Sequence, residues 1–108
     1  ISGEDNLTLA MIAMGGDGVI SVSGQAFPTV FTEMVRKALN DEVAAARPLH
    51  YALYELTNML FAEGNPGGVK AALDLQDVIE PYMRQPLWPV SNELRKALEI
   101  EMNKQGLL

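Results

Sequence analysis

One stretch near the start of the chain, residues 2–23 (SGEDNLTLAMIAMGGDGVISVS), limits the possible folds more than any other. Residues 18–22 are β-rich and bounded by glycine, which is typical of a strand buried on both faces. Ile1 has the character of a final strand residue, and residues 3–6 that of a turn into a helix. The helix is predicted from apolar residues at helical spacing, namely Leu7, Ala10, Met11 and Met14. A strand end, a helix and a strand within about twenty residues predict a βαβ crossover of the size found in (β/α) barrels.

The chain from Pro28 onward is predicted to be helical. Pro28 suits the first turn of a helix that ends near Leu39, and the next helix should run to about Phe61. Pro48 lies inside that second helix, where proline removes a hydrogen bond and crowds the preceding turn at a cost of about 3 kcal/mol. We therefore expect a kink or a break at residues 46–47.

Two further helices are predicted near the end of the chain. Asn65 is expected to cap the first of them, with Pro66 at its first position and its end near Asp77. Ser91 is expected to cap the last helix, which Gly106 ends. Its inward-facing residues are predicted to be Leu94, Ala97, Leu98 and Met102.

Several motifs, in this order and at these separations, resemble those of one enzyme family. They are SGED at residues 2–5 with GGDGVISVS at 15–23, FAEGNP followed by VK at 61–70, RQPLWP at 84–89, and GLL at 106–108. Together they resemble the dihydrodipicolinate synthase family of pyruvate-dependent class I aldolases. The resemblance spans nearly the whole chain.

The resemblance implies a fold class, α/β, and a division of the chain. Residues 1–40 would be the end of a TIM (β/α)8 barrel: the end of strand seven, helix seven, strand eight and helix eight. Residues 41–108 would be an appended C-terminal helical bundle, so that the fragment by itself is mostly helical. The chain would then be roughly the C-terminal third of an enzyme. Its first partner would be the missing N-terminal part of the same barrel. The resemblance also implies that the enzyme forms a homo-oligomer, either a dimer or a tetramer.

The resemblance also implies an activity. The intact enzyme would form an imine between a lysine and pyruvate and add the derived enamine to aspartate semialdehyde, in diaminopimelate and lysine biosynthesis. It would need no cofactor and would work in the cytoplasm. The reactive lysine lies upstream of Ile1 in this family, so the chain would hold no catalytic residue and would be inactive alone. Two alternatives remain open: an N-acetylneuraminate lyase or keto-deoxy sugar acid aldolase of the same superfamily, and a small helical partner-binding module without parallel strands.

Five residues near the two predicted strand ends are the candidate site. The resemblance implies that Ile20 contacts bound pyruvate through its backbone and that Gly3 lines the same pocket. Ser2, Glu4 and Asp5 would form the rim of the active site. The competing structural interpretation makes Ile20 barrel core and Gly3 a turn, and makes the two carboxylates favourable partners of a helix N-terminus.

Lys70 and His50 also have side chains that can take part in catalysis. Lys70 belongs to the helix after Asn65 and Pro66, whereas a Schiff-base lysine should project from a barrel strand, so a structural role is predicted. His50 is the only histidine, which favours packing or an interface.

Composition restricts the partners. The chain has no cysteine, which excludes disulfides and thiolate metal sites, and we expect no metal. Its net charge of −6 argues against nucleic acid and against anionic membrane surfaces.

Overall fold

The computed structural model describes residues 1–108 and is mostly helical. A 3-10 turn, Asp5–Leu7, is followed by six α-helices: α1 Thr8–Ala13, α2 Ser23–Ala26, α3 Pro28–Leu39, α4 Val43–Phe61, α5 Gly67–Leu75 and α6 Asn92–Lys104. The chain forms two compact units, Ile1–Tyr54 and Glu55–Leu108. The predicted division at residues 40 and 41 stays a prediction. None of the helices combines the length and the apolar character needed to span a membrane.

The predicted pair of parallel strands is reduced to a single bridge. Ser2 pairs with Val19 in parallel. The Ser2 N–H donates to the Gly18 carbonyl at 2.8 Å, and the Ile20 N–H donates to the Ser2 carbonyl at 3.0 Å. The strand predicted over residues 18–22 is therefore shorter than expected. Its pairing stops after Ile20 because the residues that follow Ser2 lead into the 3-10 turn Asp5–Leu7 and do not continue alongside residues 20–22.

Helix α1 buries a different face from the one predicted. Its buried residues are Thr8, Leu9 and Ile12. The predicted stripe lies on the exposed side: Leu7, Ala10, Met11 and Met14. Both sets recur at intervals of three or four residues, so spacing alone does not choose between them. Within this unit α1 packs against α3, and that contact selects the set Thr8, Leu9 and Ile12.

Helices α2 and α3 also belong to the first unit. The α2 helix was not predicted, since its sequence, SGQA, has no apolar period. The α3 helix has the predicted bounds, with Pro28 in its first turn. Its buried residues, Phe31, Met34 and Ala38, belong to the predicted stripe.

The break expected at residues 46–47 is wrong, whereas the kink expected as its alternative stays a prediction. Helix α4 continues through it for 19 residues, and the N–H of Ala46 still donates to the Glu42 carbonyl at 3.0 Å. Proline removes the bond to the carbonyl four residues earlier, here that of Ala44. Both Pro48 and Ala44 are exposed, so water can satisfy that carbonyl.

Helix α5 begins one residue later than predicted and ends earlier. Pro66 precedes its first residue, and no side chain caps it, so the expected cap by Asn65 is wrong. The last helical residue is Leu75, and Asp77 prevents the helix from continuing, since its φ of 57° is left-handed and the Val78 N–H donates back to the Leu73 carbonyl at 2.9 Å. Gly68 allows α5 a close approach, because a Cβ there would lie 2.1 Å from the Leu60 carbonyl oxygen.

Helix α6 follows the sequence prediction closely. The Ser91 hydroxyl accepts a hydrogen bond from the Leu94 N–H at 3.2 Å, so the predicted cap is confirmed. Leu98 and Met102 are fully buried, and Gly106 ends the helix with a φ of 70°. Helices α5 and α6 pack on each other in the second unit.

Candidate functional site

The candidate site is built on Asp5, whose side chain is only 6% exposed. One carboxylate oxygen, Oδ2, accepts two backbone hydrogen bonds, from the Val22 N–H at 3.1 Å and from the Ser23 N–H at 2.9 Å. These amides open helix α2, whose first turn offers unpaired donors. Asp5, in the turn that follows Ser2, is therefore hydrogen-bonded to the segment that follows Val19.

A second cluster of hydrogen bonds fixes residues 2–4. The Ser2 hydroxyl donates to the Glu4 carbonyl at 3.0 Å and accepts from the Glu4 N–H at 3.1 Å. Thr8 also donates its hydroxyl to the Glu4 carbonyl, at 2.9 Å. Ser2 and Thr8 are buried, at 2% and 0% exposure. The turn thus has side-chain partners for its polar backbone groups and is held in one conformation.

The five predicted site residues occupy two environments. Ser2 and Asp5 are buried, whereas Gly3, Glu4 and Ile20 are exposed, Ile20 by 79%. The structure brings Ser2 and Ile20 into direct backbone contact. A Cβ on Gly3 would meet nothing within 4 Å, so the space beside its backbone is open in this chain.

Asp5 and Glu4 differ in how they relate to a helix N-terminus: Asp5 binds amides at the start of a helix, whereas Glu4 makes no such hydrogen bond. Asp5 binds the first amides of α2 rather than those of the helix that follows it in sequence. Glu4 precedes the 3-10 turn and forms no side-chain capping bond. The pairing of Asp5 with Val22 and Ser23 spans 17 and 18 residues, which no local pattern reveals.

Asp5 also carries the one buried side-chain polar atom that lacks a partner. Its second oxygen, Oδ1, is buried and receives no hydrogen bond. Sequence reasoning missed two further buried members of this cluster, Thr8 and Ser23. Thr8 had one available signal, because a threonine four residues after a turn residue can donate back to its carbonyl.

The polar residues of the second unit have structural roles. Lys70 donates from Nζ to the Tyr82 carbonyl at 2.6 Å, and Arg95 forms an ion pair with Asp74. Glu63 accepts hydrogen bonds from the hydroxyl and N–H of Ser91, at 2.6 and 2.8 Å. These two bonds, that of the hydroxyl first, lower the pKa of the Glu63 carboxyl.

His50 lies in the part of α4 that belongs to the first unit and contacts two aromatic rings. Its ring meets those of Tyr51 and Tyr54 edge to face, with centroid distances of 5.1 and 5.7 Å. Burial lowers the pKa of the imidazole. Packing is the role that these contacts support.

Comparison with known proteins places this geometry in a family. The model of the dihydrodipicolinate synthetase family matches residues 1–105. The chain belongs to this family. The 4-hydroxy-tetrahydrodipicolinate synthase of Koribacter versatilis is 44% identical over 108 residues, which are 100% of this chain and 36% of that protein.

Solved structures agree with the family assignment. The dihydrodipicolinate synthase of Thermotoga maritima matches with a TM-score of 0.95 and 37% identity, over 99% of this chain and 36% of that one. The synthase of Acinetobacter baumannii, solved in complex with pyruvate, matches with a TM-score of 0.94 and 31% identity, over 99% of this chain and 37% of that one. The chain thus spans a little over a third of the length of these relatives. These structural relatives are TIM-barrel enzymes, and the region they share with this chain is mostly helical.

Proposed function

We propose that residues 1–108 form the C-terminal third of a dihydrodipicolinate synthase, a lyase that joins pyruvate to aspartate semialdehyde. The parallel bridge between Ser2 and Val19 carries this proposal, together with the family match over residues 1–105. The same bridge contradicts the alternative of a small helical partner-binding module, because that alternative predicts that no parallel strand pair is present. The relatives compared above favour the synthase over the neuraminate lyase alternative, because they are named as such synthases.

The direction of the bridge supports a pyruvate site at Gly3 and Ile20. In (β/α) barrels the active site lies at the carboxyl ends of the parallel strands. Ser2 and Val19 run parallel, so the residues that follow each of them emerge at the same end. Because the N–H of Ile20 already donates to Ser2, its carbonyl is the polar backbone group left, and as an acceptor it would face the N–H of the imine that pyruvate forms with the catalytic lysine. Ser2, Glu4 and Asp5 would form the rim.

The chemistry would be divided between this chain and the barrel that precedes it. A lysine there would form the imine with pyruvate, and the derived enamine would attack the aldehyde carbon of aspartate semialdehyde. The residues described here would hold and orient the pyruvate moiety. A desolvated lysine is needed for the first step, and Lys70 is engaged with the Tyr82 carbonyl instead.

Residues 41–108 would form a helical domain appended to the barrel, and the enzyme would assemble as a homo-oligomer in the cytoplasm. Several large apolar side chains are more than half exposed in this chain and are available for contacts with the rest of the barrel or with a second copy. They include Met14, Tyr51, Tyr82, Trp88 and Ile100.

Borohydride trapping tests the proposed function. The full-length protein that carries these residues is incubated with pyruvate, reduced and weighed by mass spectrometry. We expect the mass of one reduced pyruvate to be added per chain, and none to be added to residues 1–108 alone. A full-length protein that gains no mass would refute the assignment. Omitting pyruvate provides the control.

A chimaera gives an independent test with the sequence in hand. Residues 1–108 replace the matching 36% of the Koribacter versatilis synthase. We expect the chimaera to consume pyruvate only when aspartate semialdehyde is present. A folded chimaera that consumes no pyruvate with aspartate semialdehyde would contradict the assignment of residues 1–108 to this part of the synthase.

A further inference from the structure

Asp5 has an unusual pattern of hydrogen bonds for a buried carboxylate. Both of its donors, the amides of Val22 and Ser23, bind the same oxygen, Oδ2, at 3.1 and 2.9 Å. The other oxygen, Oδ1, is buried without a partner. A carboxylate used only to neutralise a helix end would more often be solvated, whereas this one is 6% exposed.

The two amides lie directly after the residue that we assign to pyruvate. Ile20 is fixed on one side, because its N–H donates to the Ser2 carbonyl at 3.0 Å. Two residues later, the Val22 N–H is fixed by Asp5. The peptide that contains the Ile20 carbonyl therefore lies between two anchors. Since each peptide is planar, fixing the backbone on both sides leaves the carbonyl little freedom of direction.

Both anchors come from one short turn, residues 2–5. Hydrogen bonds from Ser2 and Thr8 to the Glu4 carbonyl hold this turn. The conformation of the turn at residues 2–5 therefore fixes the segment around Ile20, through the hydrogen bond of Ser2 on one side and that of Asp5 on the other. Loss of either anchor would free the carbonyl to rotate.

We propose that Asp5 is a positioning residue that aims the Ile20 carbonyl at the N–H of the lysine–pyruvate imine by holding the Val22 and Ser23 amides. This inference rests on the function proposed above and deepens it. Asp5 acts as a hydrogen-bond acceptor and exchanges no proton with the substrate. Burial and the two backbone bonds engage Oδ2, and the pH profile described below tests whether the unpartnered Oδ1 exchanges a proton.

The pairing of both donors on one oxygen gives a sharp test. In Asp5→Asn the side-chain amide oxygen can accept both bonds, and the NH2 group takes the place of Oδ1. In Asp5→Ala the acceptor is absent. Steady-state kinetics are measured on the full-length enzyme for both variants, with Asp17→Ala as the control, since Asp17 is an exposed carboxylate in the same unit.

We expect Asp5→Ala to raise the KM for pyruvate about tenfold or more, because hydrogen bonds to a charged group are lost. Asp5→Asn should bring that KM back to within about threefold of the wild type, with an unchanged pH profile of kcat/KM. The KM for the aldehyde should change less than that for pyruvate in both variants. Asp17→Ala should leave all parameters unchanged.

Three results would overturn the inference. An Asp5→Asn enzyme that is folded by circular dichroism, yet as impaired as Asp5→Ala, would mean that the charge itself acts. A lost limb in its pH profile would mean that Asp5 transfers a proton. An unchanged pyruvate KM in a folded Asp5→Ala enzyme would mean that the anchor is irrelevant. Borohydride trapping on the wild type separates these failures from failure of the proposed function, because it does not depend on Asp5.

Discussion

The interiors of the two compact units are stabilised by different kinds of interaction. In Ile1–Tyr54 the interior includes four buried polar side chains, Ser2, Asp5, Thr8 and Ser23. In Glu55–Leu108 only one buried polar side chain, Thr57, accompanies the apolar core. The polar contacts of that second unit lie toward its surface, as in the cap by Ser91 and the ion pair of Arg95.

This difference shows which unit fixes the positions of individual backbone groups more closely. Buried hydrogen bonds are directional, so the first unit fixes individual backbone groups around Ile20. Apolar packing is non-directional and instead supplies stability to the second unit. The proposed pyruvate contact lies in the first kind of environment, where a backbone carbonyl can be aimed.

Truncation of the second unit's core should have the largest effect on stability. Leu98 is fully buried in α6, whereas Ile100, two residues away, is 60% exposed. We expect Leu98→Ala to cost about 3 kcal/mol in the free energy of unfolding, and Ile100→Ala less than about 0.5 kcal/mol. Urea unfolding followed by circular dichroism measures both. Equal losses would mean that the second unit does not depend on this core.

Removal of a buried hydroxyl should affect the first unit next. Thr8 and Thr32 each donate to a carbonyl four residues earlier, at 2.9 and 2.7 Å, but Thr8 is buried and Thr32 exposed. We expect Thr8→Val to cost about 1.5 kcal/mol and Thr32→Val less than about 0.5 kcal/mol, because water replaces only the exposed bond. The same urea experiment decides. If Thr8→Val were neutral, the buried network would not organise this unit.

Loss of the α6 cap should cost somewhat less. Ser91→Ala removes the acceptor for the Leu94 N–H and the donor to Glu63. We expect a loss of about 1 kcal/mol, while Ser91→Thr, which keeps the hydroxyl, should stay close to the wild type. Thermal unfolding of the three proteins compares them. A larger loss than that of Thr8→Val would reverse the contrast between the two units.

Acid should weaken the contact between Glu63 and Ser91 by the smallest amount. The bonds from Ser91 lower the pKa of Glu63 below its ordinary value of 4.5, so the folded state binds fewer protons than the unfolded state. The stabilisation is therefore complete above about pH 4.5 and is lost as the pH falls through the lowered pKa. Glu63 is exposed, so screening keeps the effect small.

An NMR titration of the Glu63 carboxyl, with Ser91→Ala as the comparison, measures this pKa. It should rise in the variant, since the hydroxyl is the larger cause of the shift. A pKa that is the same in both proteins would contradict the hydrogen bonds at the surface of the second unit.

The sequence predicted the local features of the fold better than the non-local ones. Helices α3 and α6 were predicted because a single apolar period agrees with Pro28 at one start and with the cap by Ser91 at the other. The α1 face was wrong, because two apolar stripes share one short helix and tertiary contact chooses between them.

The candidate site was predicted by position and only partly by chemistry. Ser2 and Ile20 were identified from the strand pattern and the family resemblance, and they are in contact. The role of Asp5 was not visible, because its partners are 17 and 18 residues away and are backbone amides that any residue could supply. The single bridge in place of a strand was missed for a related reason, because the pairing of residues 18–22 depends on the conformation of the residues beside them in space.

A crystal structure of the full-length protein, reduced with borohydride in the presence of pyruvate, tests the account most directly. We predict that the trapped pyruvate lies within hydrogen-bond reach of the Ile20 backbone and beside Gly3, with Asp5 Oδ2 on the amides of Val22 and Ser23. Pyruvate bound far from Ile20, or residues 18–22 found in a helix, would contradict it.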